Sequence, residues 1–253
     1  MFYNHISIVY TPSQINKIRE SNRIVAKIHA SIKEVVKPGI TTKQLEEMAE
    51  NLIRREGAVP AFKGYKGYPH TLCTSINDTV VHGYPDDKAL DEGDLLSVDV
   101  GVIKDGYYGD ACISIGVGKR GREVVDILEA TDQAMVSALA VIEPGVSTGT
   151  IGKSIDYTAK LHGYDVIKAY VGHSIGCILH DFPNVPNYGR RGEGSVLKEG
   201  MVICIEPMLT SGGSDTYRVP NRWDVKTSSG YIATHIEHCI AITKDGYDLL
   251  SKQ

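Results

Sequence analysis

The sequence predicts an α+β fold made of two similar halves, related by a pseudo-two-fold, that meet at a central antiparallel sheet. Three observations predict it. The chain repeats itself: Val36-Lys37-Pro38-Gly39-Ile40-Thr41-Thr42 resembles Ile142-Glu143-Pro144-Gly145-Val146-Ser147-Thr148, and a helix-stopping glycine, Gly57 or Gly163, follows 19 residues after each proline. The register persists downstream, since Asp99 lies 61 residues after Pro38 and Glu206 lies 62 after Pro144. In both halves two segments with helical hydrophobic spacing precede segments that alternate like strands. A duplicated unit of this kind brings the acid-bearing strands together at the centre. The expectation is one domain, residues 1–253, with repeat halves near 12–117 and 122–250.

Thr11-Pro12-Ser13-Gln14 has the form of a capping box with proline at the first helical position, where its missing N–H is not needed. Ile15, Ile18, Val25, Ile28, Ile32 and Val35 follow at helical spacing, which predicts a long amphipathic helix ending before Pro38-Gly39. A second helix starts after Thr41-Thr42, carries Leu45, Met48, Leu52 and Ile53 on one face, and stops at Gly57. An aromatic, glycine-rich segment, residues 61–70, leads into a strand, 71–85, with a turn at Asn77-Asp78. Residues 95–115 alternate in two runs around Asp105-Gly106, a strong β-hairpin signal. Helices are predicted over 122–142, ended by Pro144-Gly145, and over 149–161, stopped by Gly163. The remainder reads as short strands at 165–171, 201–206 and 231–243, with His173 and His180 in a loop between the first two.

Charged residues at 23% and hydrophobic ones at 42% describe an ordinary globular chain, long enough to bury a proper core. A formal charge of −4 gives no global basic field, so direct nucleic-acid binding is not expected. The stretch Met1 to Tyr10 lacks the basic and apolar regions of a signal peptide, and no apolar run is long enough to span a bilayer, so the expected place is cytoplasmic, without a membrane. Cys73, Cys112, Cys177, Cys204 and Cys239 are odd in number and form no C-x-x-C pair. They are read as reduced thiols, most of them small buried hydrophobes.

In the hairpin Val98, Val100 and Val102 share one face, which turns Asp99 to the other; Ala111, Ile113 and Ile115 do the same for Asp110. With Asp105 and Gly106 as the turn, Asp99 faces Cys112 and Asp110 is its diagonal neighbour, about 7–8 Å away. Like charges on one sheet face are destabilising, and a divalent cation between them would offset the repulsion. A hairpin with both acids in solvent explains these two residues equally well. Further on, Ile203 and Ile205 alternate against Cys204 and Glu206. Ile236, Ile240 and Ile242 share a face with His238, while Glu237 looks the other way with His235 and Cys239. Four acids on strands with apolar opposite faces favour a common site, and His173, in Gly172-His173-Ser174-Ile175-Gly176, supplies an imidazole. An oxygen-rich set with one imidazole suits Mn(II), Fe(II) or Co(II), tolerates Zn(II), and is unlike a Cys/His zinc site or a calcium loop.

The order Asp-x10-Asp, His, Glu, Glu resembles the dinuclear metal set of the pita-bread (creatinase/aminopeptidase-like) peptidases. Nearly the whole chain is similar to the type I methionine aminopeptidase family: Ser75-Ile76-Asn77-Asp78 running to Val81-His82-Gly83, Asp99-Val100-Gly101, Gly109-Asp110, Gly172-His173, Ile205-Glu206-Pro207-Met208 and Ile236-Glu237-His238. The resemblance implies a metal-dependent aminopeptidase that takes the initiator methionine off nascent proteins with a small second residue. It implies two divalent metal ions (Co, Mn, Fe or Zn), one on Asp99 and Asp110 and the other on His173 and Glu206. Glu237 bridges both, Asp110 helps bridge, and a hydroxide held between the metals attacks the first peptide carbonyl. It further implies that Glu206 shuttles protons, that His180 hydrogen-bonds the carbonyl oxygen, and that His82 lies near the scissile nitrogen. Tyr65, Tyr68, Cys73, His82, Leu179 and Trp223 match the wall of the methionine pocket. Nascent polypeptide N-termini as partners, transient ribosome proximity and a monomeric state go with this resemblance. The chain departs from the family's wording at Ser174, where glycine is usual, and at Leu179, where an aromatic commonly precedes the histidine. An X-Pro-specific peptidase of the same fold, and a scaffold that has lost its metals, are the alternative readings.

Overall fold

The computed structural model describes residues 8–252; residues 1–7, most of the stretch read for a leader, and 253 lie outside the described residues. α1 (Pro12–Val35) opens with the expected capping box, Gln14 N–H donating to the Thr11 hydroxyl and Thr11 N–H to the Gln14 side chain. α2 (Thr42–Arg55) uses the same device with Thr41 and Gln44. α3 (Arg122–Leu139) is three residues shorter than predicted. Beyond Leu139 the chain tightens into i→i+3 bonds, Val141 N–H to Ala138 and Ile142 N–H to Leu139, which ends the α-helical ladder before Pro144 is reached. α4 (Thr148–Leu161) ends at the predicted place, with Gly163 at φ 81°.

In the first half the hairpin strands Leu95–Lys104 and Tyr107–Gly116 pair in the predicted register, Asp99 opposite Cys112 and Gly101 opposite Asp110. Asp105 (φ 50°) and Gly106 (φ 80°) are both left-handed, as a type I′ turn requires. The strands Leu72–Ile76 and Val59–Pro60 complete this antiparallel sheet. In the second half five antiparallel strands run in the order Gly246–Leu249, His238–Thr243, Val202–Ile205, Gly172–Ser174, Asp181–Val185. The two sheets meet at one residue pair. Glu237 N–H donates to the Cys112 carbonyl at 2.9 Å, and Cys112 N–H to the Glu237 carbonyl at 3.3 Å.

That junction explains the departures from the predicted strands. Residues 231–243 are two strands, Ala233–His235 on Met208–Thr210 and His238–Thr243 on Val202–Ile205, because the chain changes partner around Glu237. Glu206 sits just past its strand, Val202–Ile205, instead of ending it. Of 165–171 only Asp165–Val166 is extended in a ladder, and His173 lies within a strand, Gly172–Ser174, not in a loop. Ser174, the departure from glycine, is accommodated by its hydroxyl donating to the Val202 carbonyl at 2.9 Å.

Each half carries its own apolar cluster. Ile24, Ile28 and Ile32 of α1 and Leu45 and Ile53 of α2 pack on Val98, Val100 and Val102. Ile127 of α3 and Ile151 and Ile155 of α4 pack on Ile203, Ile205, Ile240 and Ile242. No described helix is long and apolar enough to cross a membrane. The first cluster also encloses His29, fully buried, bonded to the Val98 backbone and with Nε2 unpartnered. Burial, assisted by Lys33, holds its pKa down to about 3. The unfolded chain therefore takes up this proton below about pH 6.5 and the folded one does not, so stability falls as the pH drops from 6.5 toward 3. His29→Leu should remove that slope. Between pH 7 and 4.5 the variant is expected to lose roughly 2–3 kcal/mol less than wild type. Equal acid sensitivity in urea titrations at the two pH values would contradict this.

Candidate metal centre

Where the sheets meet lies a cavity of about 320 Å³, lined by Asp99, Asp110, His173, Glu206 and Glu237. All four acids converge there although they come from separate segments. The hairpin presents Asp99 and Asp110 from neighbouring strands, the end of Val202–Ile205 presents Glu206, and the inter-sheet bridge presents Glu237. One oxygen each of Asp99, Asp110 and Glu237 lies within 4.8 Å of the others. His173 Nε2 is 4.0 Å from Asp110 Oδ2, 3.9 Å from Glu206 Oε1 and 3.8 Å from Glu237 Oε1. Asp110, His173, Glu206 and Glu237 are each at most 8% exposed, so water does not offset their charge.

Several features test whether divalent cations fit. Asp99 Oδ1, Asp110 Oδ1 and Glu237 Oε1 are buried with no hydrogen-bond partner. His173 Nδ1 lies 3.0 Å from the Ser174 carbonyl; a carbonyl only accepts, so the ring proton is on Nδ1 and Nε2 offers a bare lone pair to three carboxylate oxygens. Lone pairs facing lone pairs at 3.8–4.0 Å are too far apart for hydrogen bonds and about twice a metal–ligand bond of about 2.0–2.2 Å. Electrostatics agree. Burial drives the Asp99 carboxyl up to about 7. Asp110 and Glu237 are pushed well above the carboxylate range by burial and then by the neighbouring acids. Glu206 goes the other way: burial raises it, but the imidazoles of His235, His173 and His180 outweigh that and hold it below its ordinary value. Burial lowers His173. The donor set fits two cations that replace protons on the acids.

Of the residues that the resemblance assigns to the substrate, Tyr65, Tyr68, Cys73, His82, His180 and Trp223 line the same cavity. Tyr68 donates its hydroxyl to the carbonyls of Leu72 (2.8 Å) and Gly83 (3.1 Å), which leaves its ring as wall, edge-on to Trp223 at 6.0 Å. Cys73 lies opposite Asp99 on the adjoining strand. His180 Nδ1 meets the Tyr65 hydroxyl at 3.1 Å, and its ring lies 4.4 Å from that of His173. His82 is held at φ 60°, and burial lowers its pKa to about 4. Glycine must follow it, since a Cβ on Gly83 would lie 2.2 Å from the Thr74 carbonyl oxygen. Leu179 is not on the lining; it is buried behind the wall with Tyr10, Ile18 and Cys73.

Residues 16–244 match the model of metallopeptidase family M24. The chain belongs to that family. "Methionine aminopeptidase 1" of Bacillus subtilis is 38% identical over 245 residues, 97% of this chain and 99% of the relative. The methionine aminopeptidase of Aquifex aeolicus is 42% identical over 255 residues, 96% of this chain and 98% of the relative. The crystal structure of methionine aminopeptidase from Rickettsia prowazekii superposes with a TM-score of 0.96 at 38% identity, covering 98% of this chain and all of that one. The M24 chain is thus a metal-dependent hydrolase with the pita-bread fold, and divalent metal ions are its cofactors. Sequence reasoning missed His235, Phe62, Lys66 and Tyr170 on the cavity lining. For His235 the signal was present, since it alternates with Glu237 onto the same face. For Lys66 and Tyr170 no periodic pattern pointed inward.

Proposed function

We propose that this M24 chain is a methionine aminopeptidase that removes the N-terminal methionine from new polypeptides whose second residue is small. The reading rests on five side chains of metal-ligand type converging in one cavity whose wall also carries Tyr65, Tyr68, Trp223 and Cys73. Asp99 and Asp110 would hold one cation, His173 and Glu206 the other, with Glu237 shared and Asp110 partly so. Bound there, the cations supply Lewis acidity and a nucleophile at neutral pH.

The chain's own residues do the rest. Glu206, ionised at neutral pH, accepts a proton from the attacking water at a carboxylate oxygen and returns it to the departing amine. The Tyr65 hydroxyl, 3.1 Å from His180 Nδ1, can donate to it, and in that tautomer the neutral ring carries its proton on Nε2 and donates it to the substrate carbonyl oxygen as charge develops. His82, neutral because it is buried, sits by the scissile nitrogen and positions it. Tyr65, Tyr68, Cys73 and Trp223 make an apolar, polarizable wall suited to a thioether, backed by Leu179. We read the chain as one catalytic unit of two repeat halves, 12–117 and 122–250, acting as a monomer in the cytoplasm near the ribosome, where such N-termini emerge.

The test is hydrolysis of Met-Gly-Met-Met against a Gly-Pro peptide, with protein loaded in turn with Mn(II), Fe(II), Co(II) or Zn(II). Release of methionine from the first peptide alone is expected. Cleavage of only the proline substrate would make the chain an X-Pro peptidase, and neither metal binding nor turnover would make it a scaffold.

A further inference from the structure

Among the described residues the side-chain partners of Glu206 within 4.0 Å are two imidazoles on opposite oxygens. His173 faces Oε1 at 3.9 Å, and His235 Nε2 faces Oε2 at 3.4 Å. The two contacts differ in kind. His173 has its proton on Nδ1, committed to Ser174, and has no N–H to offer Glu206. His235 Nε2 is buried with no completed hydrogen bond, and its approach to Glu206 Oε2 at 3.4 Å brings it to the edge of reach of a carboxylate that only accepts.

His235 is also held on both sides. Its N–H is shared between the hydroxyls of Ser97 (3.2 Å) and Ser114 (3.3 Å), which bond each other at 2.7 Å. Its carbonyl accepts from Ser114 at 2.8 Å and from the Cys112 thiol at 3.1 Å. These four contacts tie the end of the Ala233–His235 strand to the hairpin that carries Asp99 and Asp110. The imidazole therefore starts from a backbone fixed relative to the other acids. A glutamate carboxylate turns about a broad terminal torsion, and one oxygen held from outside removes that freedom.

We propose that His235 is a positioning residue that holds Glu206 Oε2, so that Oε1 stays turned toward His173 and available as a cation ligand. The inference rests on Glu206 being a ligand, and the experiment separates the two. Chelated wild type, His235→Ala, His235→Gln and Glu206→Gln are titrated with Co(II) by calorimetry, and the visible spectrum of the Co(II)-loaded proteins is recorded. Loss of an outer partner of a ligating carboxylate weakens binding about 10- to 100-fold, and that is the expectation for His235→Ala, with an altered Co(II) band and a lower kcat at little-changed KM. His235→Gln places an amide N–H at about the reach of imidazole Nε2 and should return binding to within a few-fold of wild type. The inference is overturned if His235→Ala binds Co(II) like wild type while Glu206→Gln does not, or if His235→Gln is no better than His235→Ala. If Glu206→Gln itself binds like wild type, the ligand assignment fails and takes this inference with it.

Discussion

Asp99→Asn is expected to lose turnover by about three orders of magnitude or more, while the cation-free protein becomes more heat-stable. The two effects have one cause. Asp99 lies beside Asp110 and Glu237 in a buried cluster with unpartnered oxygens, and Cys73 and Cys112, opposite it on the neighbouring strands, carry no compensating charge. An amide binds a divalent cation far more weakly than a carboxylate. Removing a Lewis acid worth several kcal/mol reduces the rate tenfold for every 1.4 kcal/mol. In the absence of cations the same charge is a burden. Its pKa is driven from about 3.9 in the unfolded chain to about 7 in the fold. Ionised Asp99 is thus penalised by folding above pH 7, partly penalised between 4 and 7, and not at all below 4. Asn carries no such penalty, so in chelator at pH 8 the variant should gain on the order of 2–4 kcal/mol, and at pH 4 it should gain nothing. Glu206→Gln should lose turnover comparably. Near-normal activity of Asp99→Asn would show that Asp99 is not part of a cation site, and a chelated Tm at pH 8 no higher than wild type would show that the fold does not penalise its charge.

The halves of this fold were legible because duplication leaves marks that survive divergence: two Pro-Gly helix ends, equal distances to Gly57 and Gly163, and an acid at matched spacing. The hairpin was legible to the residue, since a two-residue turn fixes register and register fixes which side chains share a face. The join between the halves was not. Glu237 sits where the chain leaves one sheet for the other, and alternation counted along one strand does not reveal that the hydrogen-bonding partner changes. The same limit applies to the site. Asp99, Asp110, Glu206 and Glu237 stood out because acids are rare on strands with apolar backs. His235 did not, because an imidazole beside apolar neighbours is ordinary until its contact with Glu206 is seen. Leu179 lies behind the wall because it belongs to an aromatic and aliphatic cluster whose members come from six segments of the chain.

Cation binding should release protons at pH 7, and the stabilisation a cation confers should grow as the pH rises from about 5 to 8. In the cation-free fold Asp110 and Glu237 are pushed well above the usual carboxylate range by burial and by the neighbouring acids, so they hold protons to higher pH than ordinary acids do, and Asp99 is protonated as the pH falls through about 7. Each such proton must be lost for the carboxylate to act as a ligand. His173 contributes little at neutral pH and above, because its Nε2 is bare there and burial keeps its pKa below the ordinary histidine value. Apparent affinity therefore changes about tenfold per pH unit for each proton displaced, with a steeper slope below pH 7 than above it. The stabilisation follows as RT ln(1 + [L]/Kd), so Mn(II) at a fixed concentration should raise Tm much more at pH 7.5 than at pH 5.5. Calorimetric titrations in buffers of different ionisation enthalpy count the protons directly. Asp99→Asn should release one fewer than wild type at pH 6 and about the same number at pH 8. Zero protons released at pH 7 would mean that the buried acids are already ionised without a cation. The unpartnered oxygens of Asp99, Asp110 and Glu237 would then need some other positive group to hold their charge.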